Sequence, residues 1–221
     1  MRSVLITGTS SGIGLATAVV LASRGWRVFA TMRNLQKRSA LEQALRAAGM
    51  QDNVDIQELD VTRSESVQAA TASIMARTGN TLDAVVHNAG VAAAGALEDV
   101  PESELRRVME TNFFGVLGLT RALLPTFRAK RRGRIVIVSS EAAFYGQPTN
   151  AIYCASKWAI EGWAESTAYE LEPLELMSCS SSLALIAPRS GQAPPDSSQR
   201  AVPIEVGCSR CLLLPMHMPP P

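Results

Sequence analysis

Short apolar runs alternate along the chain with longer stretches whose apolar residues recur at helical spacing. Ser3 to Ile6 is the first run, closed by a glycine-rich turn, and it predicts a buried strand. Ile13 to Arg24 carries Ala16, Val19, Val20 and Ala22 at helical spacing, with Gly25 as its stop. Arg27 to Met32 predicts a second strand, with Arg33 at its C-terminal end. Leu35 to Ala48 predicts a helix with Leu41, Ala44, Leu45 and Ala48 on one face, ended by Gly49. Val54, Ile56 and Leu59 outline a third strand that Asp60-Val61 closes. Thr62 and Glu65 have capping-box spacing, opening a helix that runs to about Arg77. Leu82 to Val86 predicts a fourth strand leading into His87-Asn88-Ala89-Gly90. A long helical stretch begins at Pro101, a first-turn proline, and ends at Lys130-Arg131-Arg132. That charge run suits a capped, solvated helix end better than a binding patch. Ile135 to Val138 is the fifth strand, ending at Ser139-Ser140. A loop then leads to Tyr153, and Ala155 to Leu171 is again helical.

Strands alternating with helices imply right-handed βαβ units and a parallel sheet. The strands are continuous apolar runs, as expected when helices cover both faces. The expected fold class is α/β: a doubly wound parallel sheet of the Rossmann type, in three αβα layers. Ligands in such folds sit beyond the C-terminal ends of the strands. Gly8, Arg33, Asp60, Asn88 and Ser140 all fall there.

Composition narrows the function classes. The 221 residues fit one domain with room for a sizeable core, and 47% of them are hydrophobic. A net charge of +1 gives no reason to expect nucleic acid or an anionic membrane as partner. No apolar run approaches the roughly 18 to 20 residues of a membrane span. The start of the chain has no secretory h-region or cleavage site, so the cytoplasm is the expected location. Cys208 and Cys211 have C-x-x-C spacing, but His87 and His217 supply no second ligand pair. The two cysteines read as thiols in a loose tail, and no metal is expected.

The candidate chemistry lies in two stretches. Gly8, Gly12 and Gly14 form a G-x-x-x-G-x-G turn between the first strand and the first helix. Glycine lets the backbone take positive φ or admit a close neighbour, and a helix N-terminus directs N–H groups at an anion. An ordinary strand-to-helix turn can look the same, but Thr7 and the Gly12-Ile13-Gly14 ending favour a nucleotide's pyrophosphate. Ser10 and Ser11 share that loop. In the second stretch, Tyr153 and Lys157 are spaced to share one helix face. A free tyrosine has a pKa near 10, and a fixed ammonium favours its phenolate. Such a pair can act as general acid and base in an alcohol/carbonyl interconversion. Ser140 lies 13 residues upstream at a strand end, where its hydroxyl can hydrogen-bond the reacting oxygen.

These motifs together resemble the short-chain dehydrogenase/reductase family, with its T-G-x-x-x-G-x-G loop, its Y-x-x-x-K pair and its upstream serine. The resemblance implies that Tyr153 gives or takes the proton, that Lys157 lowers its pKa and contacts the nicotinamide ribose, and that Ser140 orients the substrate oxygen. Thr111-Asn112-Phe113-Phe114-Gly115 is similar to the family's asparagine segment, so Asn112 is expected to support a water-linked proton relay. The family's N-N-A-G reads His87-Asn88-Ala89-Gly90 here. Asn88, Ala89 and Gly90 are expected to support the sheet centre and border the adenosine ribose, while His87 reads as a packed strand-end residue. Asp60, with Val61 beside it, matches the aspartate near the adenine ring. Thr31-Met32-Arg33-Asn34 lacks the acid that would bind a ribose 2′-hydroxyl, and Arg33 suits a 2′-phosphate. NADP(H) is therefore expected over NAD(H). The wording around Val28 to Arg33 and Thr111 to Gly115 looks most like the 17β-hydroxysteroid and retinol dehydrogenase branch, which hints at a bulky apolar alcohol or ketone as substrate.

Past Leu174 the resemblance ends. The expected organisation is a dinucleotide-binding and catalytic domain over 1–175 and an atypical tail rich in Ser, Pro and Cys over 176–221. Eight of the twelve prolines lie at 188–221, and the composition reads as disordered. A truncation, frameshift or alternative product would look like this. Leu183 to Pro188 offers a poor sixth strand, so the fifth strand is expected to present an open edge. The helix from Ala155 to Leu171, with Trp158 and Trp163, suits either a homodimer or homotetramer bundle or the protein's own core. Two functions follow: an NADP(H)-dependent oxidoreductase, or a catalytically impaired nucleotide-binding fragment that only binds or sequesters. A sugar-nucleotide epimerase is disfavoured by chain length and glycine spacing.

Overall fold

The computed structural model describes residues 1–171 and, as backbone, the strand Leu176–Ser181. Six strands form one sheet: β1 (Ser3–Thr7), β2 (Arg27–Met32), β3 (Val54–Glu58), β4 (Ala84–His87), β5 (Gly133–Val138) and β6 (Leu176–Ser181). Their order is β3-β2-β1-β4-β5-β6, and every pairing is parallel. The chain therefore reverses its direction of growth at β1, and a crevice opens between β1 and β4.

Alternate strand residues point to opposite faces. Leu5, Phe29, Val85, Ile135 and Ile137 bury on one face against α3 (Ser64–Thr78), α5 (Gly115–Lys130) and α6 (Ala151–Leu171). Val4, Ile6, Val28, Ala30 and Val86 bury on the other against α1 (Gly12–Ser23) and α2 (Ser39–Ala48). Large fully buried side chains such as Phe29 and Phe127 contribute about 1.5–3 kcal/mol each. Among the described residues, no helix is long and apolar enough to cross a membrane.

The expected open edge on the fifth strand is overturned. β6 pairs with β5 along its length, from Gly133 opposite Leu176 to Val138 opposite Ser181. It begins where the tail was expected to begin, and upstream of Leu183. Ser178, Ser180 and Ser181 made this segment look like loop, yet a strand at a sheet edge is specified by its backbone ladder as much as by its side chains. The expectations placed on 182–221, including Cys208 and Cys211, lie outside the described residues.

Other boundaries move for local reasons. The helix expected from Leu35 breaks, because the Asn34 side chain accepts from Gln36 N at 2.8 Å and sets a separate turn at Leu35–Lys37. The Thr62 capping box does not form. The Thr62 hydroxyl donates instead to Asp60 Oδ1 at 2.7 Å, and α3 starts at Ser64. Lys130, expected in solvent, pairs with Asp83 at the opposite end of the sheet from the crevice. Burial pushes the Asp83 carboxyl up, but Lys130 and Ser3 outweigh it and hold it below its ordinary value.

The long helix from residue 102 is interrupted. α4 (Glu102–Met109) passes into a π-helical turn at Glu110–Phe114 before α5 begins. α6 starts at Ala151 rather than Ala155, so Tyr153 sits within its first turn. The two α6 tryptophans divide: Trp163 packs partly buried against the core, whereas Trp158 is 53% exposed.

Candidate active site

The glycine loop is shaped by close approach. Gly8 has φ +71°, and a Cβ there would meet Ala89 Cα at 2.8 Å. A Cβ on Gly14 would strike the Gly8 carbonyl and the Asn88 amide. Gly12 also has positive φ but faces open space. Asn88 fixes the arrangement, since its Nδ2 donates to both Thr7 O and Gly8 O at 2.9 Å. Thr7 Oγ1 accepts from Asn88 N and Ala89 N at 3.0 Å each. Thr9, wholly buried, donates from N and Oγ1 to Thr31 O and ties the loop to β2.

This bracing leaves the start of α1 available. Ser11 stands at its N-cap in extended conformation without a side-chain cap bond, and the first turn carries no acid. The N–H groups there are directed into a cleft of about 580 Å³ lined by Gly8, Ser10, Ser11 and Ile13. Such a volume is typical of small-molecule sites. An open, uncapped helix start under a glycine turn fits a pyrophosphate.

The cleft runs across the ends of the strands. Arg33 lines it beyond β2, exposed, and has no ion-pair partner among the described residues. Arg27 and Arg77, by contrast, are both held by Asp55. Asp60 and Val61 line it beyond β3. Asp60 Oδ1 is occupied by Thr62 N and Oγ1, at 3.0 and 2.7 Å. Gly115 lets Val61 lie close, because a Cβ there would meet Val61 Cγ2 at 2.7 Å. Ala89 and Gly90 line the cleft beyond β4 together with Asn88.

Ser140, Tyr153 and Lys157 line the far end of the same cleft. Ser140 accepts from Ala142 N at 3.2 Å, which caps the short turn Glu141–Ala143 and fixes its hydroxyl oxygen at the end of β5. Lys157 Nζ donates to Val138 O at 2.9 Å and lies 5.7 Å from the Tyr153 ring centroid. Burial pulls the Lys157 ammonium down to about 8, opposed by the charge of Glu161 one helical turn on. The amine is therefore cationic at neutral pH and close to losing its proton.

Asn112 is not brought to the cleft wall. Its Oδ1 accepts from Val91 N at 2.9 Å, and its Nδ2 donates to Val91 O at 2.8 Å and Ser156 Oγ at 3.0 Å. Thr111, one residue earlier in the π-turn, does line the cleft. His87 is packed, 3% exposed, with Thr120 Oγ1 at 3.0 Å from Nε2; burial lowers its pKa to about 3 and keeps it neutral. Motif reading passed over Ser139, Val91 and Ser156. Ser156 alone left a signal, as a small polar residue inside an amphipathic helix. Among the described residues no cluster of His, Cys, Asp or Glu could hold a metal ion.

Comparison with known proteins agrees with this architecture. A family model described as short chain dehydrogenase matches residues 2–181. Retinol dehydrogenase 8 of Bos taurus is 42% identical over 173 residues, covering 77% of this chain and 54% of that protein. Estradiol 17-beta-dehydrogenase 1 of Rattus norvegicus is 41% identical over 169 residues, covering 75% of this chain and 48% of that protein. The chain thus spans about half the length of these curated relatives. A metagenomic short-chain oxidoreductase solved in complex with NADP superposes with a TM-score of 0.76 at 32% identity, covering 82% of this chain and 81% of that one.

Proposed function

The chain belongs to the short-chain dehydrogenase family, and from that premise we propose that it is an NADP(H)-dependent oxidoreductase interconverting a bulky apolar alcohol and its ketone or aldehyde. The observation that carries this is convergence: Ser140, Tyr153 and Lys157 line the same cleft as the glycine loop and the uncapped start of α1. Gly8 to Gly14 would hold the dinucleotide's pyrophosphate, Asp60, Val61 and Ala89 its adenosine end, and Lys157 its ribose. When bound, the nicotinamide supplies or takes the hydride.

The chain's own residues do the rest. Tyr153 exchanges the proton at the substrate oxygen. The Lys157 ammonium, held on Val138 O, stands 5.7 Å from the Tyr153 ring centroid, where it faces the cofactor's ribose. Ser140 presents its hydroxyl to the same oxygen. Asn112 acts through the π-turn it braces rather than by touching substrate, so a water-linked relay would run along the backbone it holds. Arg33, exposed at the end of β2 and without an ion-pair partner among the described residues, favours the 2′-phosphate of NADP(H). Exposed Phe144 and Tyr145, just beyond the Ser140 turn, supply apolar surface for the substrate. The names of the retinol and estradiol dehydrogenases point to the same substrate class. A cytoplasmic setting and a homodimer or homotetramer through α6, whose Trp158 and Tyr169 are exposed, complete the reading.

A second reading is favoured by one observation, that the Ser-, Pro- and Cys-rich stretch lies largely beyond the residues 2–181 that the family model matches. In it the protein binds nucleotide without turnover and acts only as a binding or sequestering module. Fluorescence titration with NADPH and NADH, with turnover assays on apolar alcohols and ketones, separates the two. We expect saturable binding, tighter for NADPH, and turnover that falls by at least about a hundredfold in Tyr153→Phe with cofactor affinity kept. Turnover that survives this substitution overturns the mechanism, and saturable binding without turnover establishes the second reading.

A further inference from the structure

Three segments carry the catalytic end of the cleft: the loop after β4, the π-turn, and α6. They touch through one buried chain of side-chain hydrogen bonds. Val91 N donates to Asn112 Oδ1 at 2.9 Å, and Asn112 Nδ2 returns a bond to Val91 O at 2.8 Å. The same Nδ2 donates to Ser156 Oγ at 3.0 Å. The Ser156 hydroxyl then donates to the Tyr153 carbonyl at 2.7 Å. Ser156 is wholly buried and Asn112 is 3% exposed.

The direction of each bond is forced. Both Asn112 Nδ2 protons are used, one on Val91 O and one on Ser156 Oγ, so the hydroxyl must accept there. Its single proton is then free for the Tyr153 carbonyl. The only element that reaches from the π-turn to the backbone of the catalytic tyrosine in this chain of bonds is the Ser156 hydroxyl. A π-turn itself is an irregular turn that needs tertiary support to persist.

We propose that Ser156 is a positioning residue, which locks the Asn112 π-turn to the catalytic helix and so sets where Tyr153 stands relative to Ser140. This deepens the oxidoreductase reading and rests on it. The glycine loop has no part in the chain of bonds, so the pyrophosphate cradle does not depend on it. Without the hydroxyl, Asn112 Nδ2 loses one acceptor in a dry site and α6 loses its tie to the turn. Small misplacement of a proton donor is enough to slow the chemical step.

The test compares wild type with Ser156→Ala and Ser156→Thr. Alanine is a strong helix former and smaller than serine, so the fold is kept; threonine restores the hydroxyl. In Ser156→Ala we expect kcat to fall about tenfold, with NADPH Kd and substrate KM within about twofold, and threonine to recover most of the loss. Amide hydrogen exchange at Val91 should speed up by about tenfold in Ser156→Ala, because Asn112 is freed to leave it. Unchanged kcat in an active protein, or a fall in melting temperature with kcat intact, overturns the positioning role. Unchanged Val91 protection overturns the coupling. The exchange measurement does not require turnover, so a wild type that binds nucleotide but does not react defeats the oxidoreductase reading while the coupling is still decided.

Discussion

The two ends of the cleft are held by different means. At the nucleotide end, Asn88 and Thr7 clasp a turn from β1 to α1 that is also packed backbone against backbone, and Gly14 leaves no room for a methyl group beside Gly8 O. At the catalytic end, backbone is held by hydrogen bonds alone, from Lys157 on Val138 O, Asn112 on Val91 and Ser156 on the Tyr153 carbonyl, with the side chains of His87 and Thr120 paired behind them. The first kind of support is all or none, since an added carbon cannot be accommodated by degrees. The second is graded and responds to protonation, because it is built from single hydrogen bonds.

The contrast can be broken first at Gly14. Gly14→Ala drives a methyl group into Gly8 O and Asn88 Nδ2, and overpacking of that kind costs about 3 kcal/mol. Thermal unfolding should shift accordingly, and nucleotide binding should disappear in the fluorescence titration. Acid sharpens the other side. His87 has a folded pKa of about 3, below the 6.5 of the unfolded chain, so between those values the unfolded chain binds a proton that the folded one refuses. Stability is therefore highest above pH 6.5 and falls as pH drops. The contribution lost between pH 7 and pH 5 is about 2 kcal/mol, and denaturant unfolding of His87→Asn across that window should show a flatter profile. The smallest effect is expected back in the glycine loop. Gly12 faces open space, so Gly12→Ala meets only the left-handed backbone penalty of about 1 kcal/mol, read as a modest shift in melting temperature. Equal losses for Gly12→Ala and Gly14→Ala would remove the distinction between close approach and backbone strain.

The same contrast explains what could be read from the residues alone. Local features were legible: the strand at Ser3 to Ile6, the glycine stop at Gly49, and the spacing of Tyr153 and Lys157 all reside in a few consecutive positions. The Asn112–Ser156 bond spans 44 residues, so no window of sequence contains it. The π-turn was hidden for a related reason, as the contacts of Asn112 within Glu110 to Phe114 run to Val91 and Ser156, both distant in sequence. Thr62 misled because its hydroxyl donates to Asp60, two residues away, and its oxygen does not accept from the N–H groups of the helix start. β6 was hidden by its serines, since its register is written in the backbone of β5 rather than in its own side chains.

The order of strands also carries a consequence for synthesis. β1 is made first yet lies inside the sheet, between β2 and β4. Its β2 edge can close once Met32 has been added, but its other edge waits for Ala84 to His87. At ribosomal speeds of about 5–20 residues per second, that edge stands open for several seconds. Asn88, which clasps the carbonyls of Thr7 and Gly8, arrives later still. The phosphate cradle, although it directly follows β1, is thus set only after β4 has been made.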